Sequence, residues 1–135
     1  MKSDTFKVII AGTRNFNDYQ LLKRYADKIL ANVSKPIEIV SGRCRGADLL
    51  GEHYASEKRF SLTFFEAKWS EYGRRAGPMR NAQMASYADA LIALWDGKSK
   101  GTKNMIDEAL KAGISIRVIN YVDNICYTPI DNKDG

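Results

Sequence analysis

Several things are scarce in this chain, and each scarcity removes a class of protein. Its 135 residues hold two cysteines and one histidine. Cys44 and Cys126 share no metal-ligand spacing, and His53 alone cannot complete a zinc set, so two reduced thiols and no bound metal are expected. Apolar runs are short: the stretch before Gly12 is too brief for a signal-peptide core, and none approaches membrane-spanning length. A soluble, cytoplasmic protein without a membrane partner is the expectation. No GxGxxG follows the first apolar run and no GxxxxGK[ST] occurs anywhere, which disfavours a conventional NAD-linked dehydrogenase or a P-loop NTPase. Internal repeats, linkers and low-complexity tracts are absent too.

What is present is the composition of one globular domain, 44% hydrophobic and 10% aromatic. The net charge of +5 permits an anionic partner without identifying one, and the surplus is spread along the chain instead of forming a basic stripe.

Patterning alternates between two periods. "KVIIAG", "IEIVSG", "SLTFFEA", "ADALIALWDG" and "ISIRVIN" read as five strands, from their β-branched and apolar runs bounded by glycine or turn residues. Between them, Leu21, Leu22, Tyr25, Ile29 and Leu30 fall at helical spacing behind a candidate N-cap, Asp18. A second helix begins near Gly46, a third carries Met79 to Tyr87 with Pro78 in its first turn, and a fourth closes on Gly113. The alternation specifies an α/β class: a Rossmann-like three-layer sandwich around a five-stranded parallel sheet, expected order 3-2-1-4-5. Residues 1–121 would form this single domain, and 122–135 a surface tail, partly disordered.

The unusual residues then fall at one place. Gly12, Thr13 and Arg14 follow strand one; Ser41, Gly42, Arg45, Gly46 and Asp48 end strand two and open its helix. Trp69, Gly77, Arg80 and Asn81 follow strand three; Asp96, Ser99, Gly101 and Thr102 follow strand four. In an open parallel sheet these carboxyl ends share an edge, and ligands bind where the strand order reverses, here between strands one and four. Backbone N–H groups at helix starts, with guanidinium forks beside them, suit a phosphate. Trp69 offers a face for a base; Asp48 offers an acceptor for a ribose hydroxyl or for Arg45, and equally suits the start of a helix. Arg43 and Cys44 have no role assigned by pattern, and no base marks Cys44 as a nucleophile.

"AGTRNF", "SGRCRGAD", "AGPMRNAQM" and "WDGKSKGT", in this order over residues 7 to 120, resemble the SLOG superfamily, most closely its YspA, cpYpsA-related branch. The resemblance implies a Rossmann-like domain that binds a nucleotide or a nucleotide derivative such as ADP-ribose, of a class proposed to act as sensors in bacterial and phage conflict systems. It implies a role for Arg80 in holding the phosphate or ribose. Cytokinin-activating phosphoribohydrolases are similar at "RNAQM" and "KGT", but carry a glutamate where this chain has Met105. DNA-processing proteins are similar at "GTR", "SGRCRGAD" and "RN". Three functions stay open on these grounds: a binding domain for a phosphorylated nucleotide-type molecule with no separate cofactor, a nucleotide N-glycosidase, or a single-stranded nucleic-acid-binding module. A homodimer is expected by analogy only.

Overall fold

The computed structural model describes residues 4–130. Six strands form one sheet in the order β3-β2-β1-β4-β5-β6, all neighbours parallel except the last pair. The strands are β1 (Phe6–Gly12), β2 (Ile37–Ser41), β3 (Ser61–Phe64), β4 (Ala90–Trp95), β5 (Ser115–Asn120) and β6 (Ile125–Tyr127). The helices are α1 (Tyr19–Leu30), α2 (Ala47–Lys58), a single turn α3 (Trp69–Tyr72), α4 (Ala76–Tyr87) and α5 (Lys100–Ala112), with a 3-10 turn over Gly73–Arg75.

The near-continuous apolar character of β1 and β4 is explained by burial on both faces. Val8 and Ile10 turn to one side, where they join Ile39, Ile92 and Leu94 under Leu22, Ala26 and Leu30 of α1 and Ala47 and Tyr54 of α2. Ile9 and Ala11 turn to the other, joining Val40, Leu91 and Ala93 under Met84 and Ala85 of α4 and Met105, Ile106 and Ala109 of α5. The result is three layers with two half-cores. Asp18 does cap α1, its carboxylate accepting from the Leu21 N–H at 3.1 Å, and α5 ends on Gly113 with φ 74°.

Register aligns the strand ends that matter. Gly12 lies beside Leu94, Ser41 beside Phe64 and Trp95 beside Asn120, so the carboxyl ends of β1 to β5 share one edge.

One expectation needs correction. The segment after residue 121 is not simply a surface tail: Ile125–Tyr127 pairs antiparallel with β5 and adds a sixth strand. Asp123 and Asn124 lie in the turn of the hairpin. Asn120 accepts from the N–H groups of Val122 and Asp123 through its side chain, and Asn124 takes a left-handed φ of 56°. Residues 131–135, also assigned to that tail, lie outside the described residues.

Candidate functional site

A crevice of about 270 Å³ opens at the carboxyl edge, over β1 and next to α4 and α5. Gly12 and Arg14 line it from the end of β1, Cys44 and Asp48 from the β2–α2 connection, and Trp69 from α3. Gly77, Pro78, Arg80, Asn81 and Met84 line it from α4, and Ser99, Lys100, Gly101, Thr102, Asn104 and Met105 from the start of α5. This is the reversal point of the strand order, where β1 meets β4 and crossovers leave in opposite directions.

Arg80 is the central cation. It is 8% exposed, its Nε donates to Asn81 Oδ1 at 3.0 Å and its Nη1 to the Gly42 carbonyl at 2.7 Å. The same Nη1 lies 3.7 Å from Cys44 Sγ. Nε and Nη1 thus fix the guanidinium plane, which leaves Nη2 as the corner available to a ligand. Asn81 passes the restraint on, donating from Nδ2 to Asn104 Oδ1 at 2.9 Å, so α4 and α5 are tied together across the crevice floor.

Asp48 is the buried carboxylate of the site. It accepts from the Cys44 N–H at 3.4 Å, and burial pushes its pKa up to about 6 against the lowering effects of Arg80 and of the Cys44 and Gly12 N–H groups. Its packing demands glycine at 42, since a Cβ there would stand 2.8 Å from Asp48 Oδ2 and 3.1 Å from the Arg80 guanidinium. Gly46, the N-cap of α2, is required for another reason: its φ is 83° and a Cβ would stand 2.4 Å from the Thr13 carbonyl oxygen.

The first turn of α5 supplies the complementary charge. Ser99, its N-cap, makes no side-chain bond to the helix N–H groups, and its hydroxyl instead accepts from Thr102 at 3.3 Å. The N–H groups of that turn therefore point to the crevice mouth with the positive end of the helix dipole. Lys100 stands in the same turn. Met84 and Met105, both almost fully buried, form an apolar wall, and the ring of Trp69, about half exposed, lies over Gly77.

Other residues singled out in sequence build the crevice without lining it. Thr13 accepts from the Asp96 N–H through Oγ1 at 3.2 Å, and its carbonyl receives the Phe16 and Ala47 N–H groups, so it joins β1, β4 and α2. Asp96 accepts from the Lys98 and Ser99 N–H groups, both at 2.8 Å, which lowers its pKa and shapes the loop before α5. Ser41 donates to Glu52 at 2.7 Å and accepts from the Arg43 N–H at 3.0 Å.

The β2–α2 loop behaves unlike its pattern suggests. Arg43 has φ 62°, lies 4.3 Å over the Phe64 ring and pairs with Glu52 at 3.4 Å. Arg45 is exposed and outside the crevice lining, whereas Cys44 lines it. Pro78, Lys100 and Asn104 also line it without having been singled out. Met84 and Met105 were legible in principle, being four residues beyond Arg80 and Gly101 on the same helix faces.

Charge that is scattered in sequence is gathered in space. The four connections at this edge, with the first residue of α5, carry Arg14, Arg43, Arg45, Lys68, Arg74, Arg75, Lys98 and Lys100 against Asp18, Glu66, Glu71 and Asp96. They hold four of the five surplus positive charges of the chain. Among the described residues no three His, Cys, Asp or Glu side chains come together as a metal-binding group, and no helix is long and apolar enough to cross a membrane.

Comparison with known proteins gives the family and the fold. The model of the YspA, cpYpsA-related SLOG family matches residues 6–72, which hold β1, α1, β2, α2 and β3 with the loops that build half of the crevice. The chain also aligns with the Gene 61 protein of Mycobacterium phage D29, 32% identical over 123 residues, covering 87% of this chain and 97% of the phage protein. The chain belongs to the YspA, cpYpsA-related SLOG family. Among solved structures, DNA processing protein A from Streptococcus pneumoniae superposes with a TM-score of 0.66 at 17% identity over 84% of this chain. The SLOG chain spans 50% of that protein's length, and the likeness is one of fold.

Proposed function

We propose that this SLOG domain binds a phosphorylated ribonucleotide or an ADP-ribose-like derivative in the crevice. One observation carries the reading: a guanidinium locked by protein acceptors and an uncapped helix N-terminus border the same cavity at the strand-order reversal. Phosphate oxygens would take the N–H groups of Gly101 and Thr102 and the free corner of Arg80, with Arg14 and Lys100 adding charge at the mouth. The base would lie against Trp69 and the methionine wall.

The test is a thermal-shift panel of nucleoside mono-, di- and triphosphates, NAD and ADP-ribose on the wild type and Arg80→Ala. A ligand at about 100 times its dissociation constant stabilises by about 2.7 kcal/mol, several degrees in a domain of this size. The expected result is a shift with one nucleotide class that disappears in Arg80→Ala. No shift with any member would sink the proposal. Release of free base from the bound member would move the reading to the N-glycosidase alternative, against which Met105 stands, in the crevice wall where the hydrolases carry glutamate.

A second reading is favoured by the basic rim. Single-stranded nucleic acid would use the same cations, and the structural neighbour is by name a DNA processing protein. Oligonucleotide affinity falling steeply with salt would support it, through counterion release. Absent or salt-insensitive binding would remove it.

A further inference from the structure

The crevice places a carboxylate among the groups that would receive an anion. Asp48 is 4% exposed, yet it lines the same cavity as Arg14, Arg80 and Lys100. The groups facing it come from every neighbouring element: the Arg80 guanidinium from α4, the Cys44 N–H from the loop, the Gly12 N–H from β1, and Glu52 one turn along α2. Two of the three Arg80 nitrogens bond the neutral acceptors Asn81 and Gly42, so the guanidinium keeps its full charge and acts on the carboxylate through space. An entering phosphate would compete with it for the one corner that remains.

We infer that the crevice takes its anionic ligand together with a proton on Asp48. The inference rests on the anion-binding reading above and adds its regulation. Two negative charges in one low-dielectric cavity repel, and a protonated carboxyl removes the repulsion while gaining an O–H donor for a phosphate oxygen. Burial has already raised the pKa of Asp48 to about 6, so a further rise of about two to three units, driven by the charge of the ligand, holds the carboxyl neutral across the physiological range. Linkage makes the effect reciprocal: ligand raises the affinity of Asp48 for its proton, and rising pH weakens the ligand.

The experiment is isothermal titration with ADP-ribose, whose pyrophosphate stays fully ionised, or with whichever nucleotide the panel selects. Repeating it in buffers of different ionisation enthalpy counts protons directly on the wild type. The expected uptake approaches one proton per ligand at about pH 7.5, with affinity falling by up to about tenfold per pH unit above the free-state pKa. In Asp48→Asn the uptake should vanish and affinity at about pH 8.5 should exceed that of the wild type, because the repulsion is gone. Binding with no proton uptake, or uptake that survives in Asp48→Asn, overturns the inference alone. Absence of binding at every pH overturns the crevice reading and the inference with it.

Discussion

Two carboxylates are buried among the described residues, and the fold treats them in opposite ways. Glu38, the second residue of β2, is 8% exposed and Asp48, in the first turn of α2, is 4% exposed. Burial acts to raise both pKa values. At Glu38 it is outweighed by three hydroxyls, from Tyr87, from Thr63 at 2.9 Å and from Thr5 at 3.1 Å, and by the charge of Lys7, so the carboxyl ends below its ordinary value. At Asp48 two backbone N–H groups and Arg80 do not suffice, and it ends well above its own. Glu38 is a hub that fastens the edge strand β3 and helix α4 to β2. Asp48 is held by backbone N–H groups alone, with Arg80 nearby, and lines a cavity. Anchoring by several hydroxyls marks a structural carboxylate, and a buried carboxyl with a raised pKa that lines a cavity marks a candidate for binding.

The contrast can be broken most severely at Glu38. Glu38→Ala strands three hydroxyls at once, and a loss of about 4 kcal/mol, a drop of roughly 15 °C in Tm, is expected in thermal denaturation. A loss below about 1 kcal/mol would show that the hub is not structural. Because its folded pKa is depressed, the contribution of Glu38 is present above the ordinary carboxylate range and is lost as pH falls through the folded value.

Asp48 should respond with the other sign. Its folded pKa of about 6 lies above the ordinary 3.8, so whatever it adds to stability is full below 3.8 and lost as pH rises through 6. Asp48→Asn is therefore expected to be more stable than wild type by about 2 kcal/mol at pH 8, with the gain shrinking to nothing near pH 4. Denaturant melts of both proteins at the two pH values decide it, and a variant less stable at pH 8 would contradict the assignment.

Smaller effects sharpen the functional side. Trp69→Ala should weaken nucleotide affinity by roughly 5- to 30-fold through lost stacking while costing less than about 1 kcal/mol of stability, since the ring is half exposed. Equal losses in both would make Trp69 a packing residue. Smallest of all is a protection effect at Cys44, which lines the crevice while Cys126 is exposed elsewhere. Bound nucleotide should slow alkylation of Cys44 by a haloacetamide at least about fivefold and leave Cys126 unaffected, as read by mass spectrometry of the labelled peptides.

Much of the fold was legible because burial on both faces of a parallel sheet leaves an unbroken β-branched signature, as in "KVIIA" and "ALIAL". The carboxyl edge followed from topology, and Arg80, Asp48, Trp69 and the Gly101-Thr102 pair do reach one cavity. Side-chain direction was not legible. The left-handed backbone at Arg43 accompanies a side chain that lies over Phe64 and pairs with Glu52, while its neighbour Cys44 takes the inner position, and no periodicity encodes that exchange. The gathering of charge was hidden for a related reason: loops separated by whole crossovers in sequence are adjacent only once the sheet is formed. The hairpin after Asn120 was missed because an Asx turn and a disordered tail are written with the same residues.

That hairpin has a consequence for how the domain behaves when cut. Every residue lining the crevice lies between Ala11 and Met105, so removal of β6 would leave the binding apparatus whole. It would, however, strip the guard from β5, turning a six-residue strand that includes buried Ile116, Val118 and Ile119 into an open template for a neighbouring chain. β6 is three residues long with all three exposed, a short and poor template in its own right. A version ending at Tyr121 is expected to keep the crevice lining intact and to self-associate along the bared edge of β5, which makes the last strand a cover for that edge.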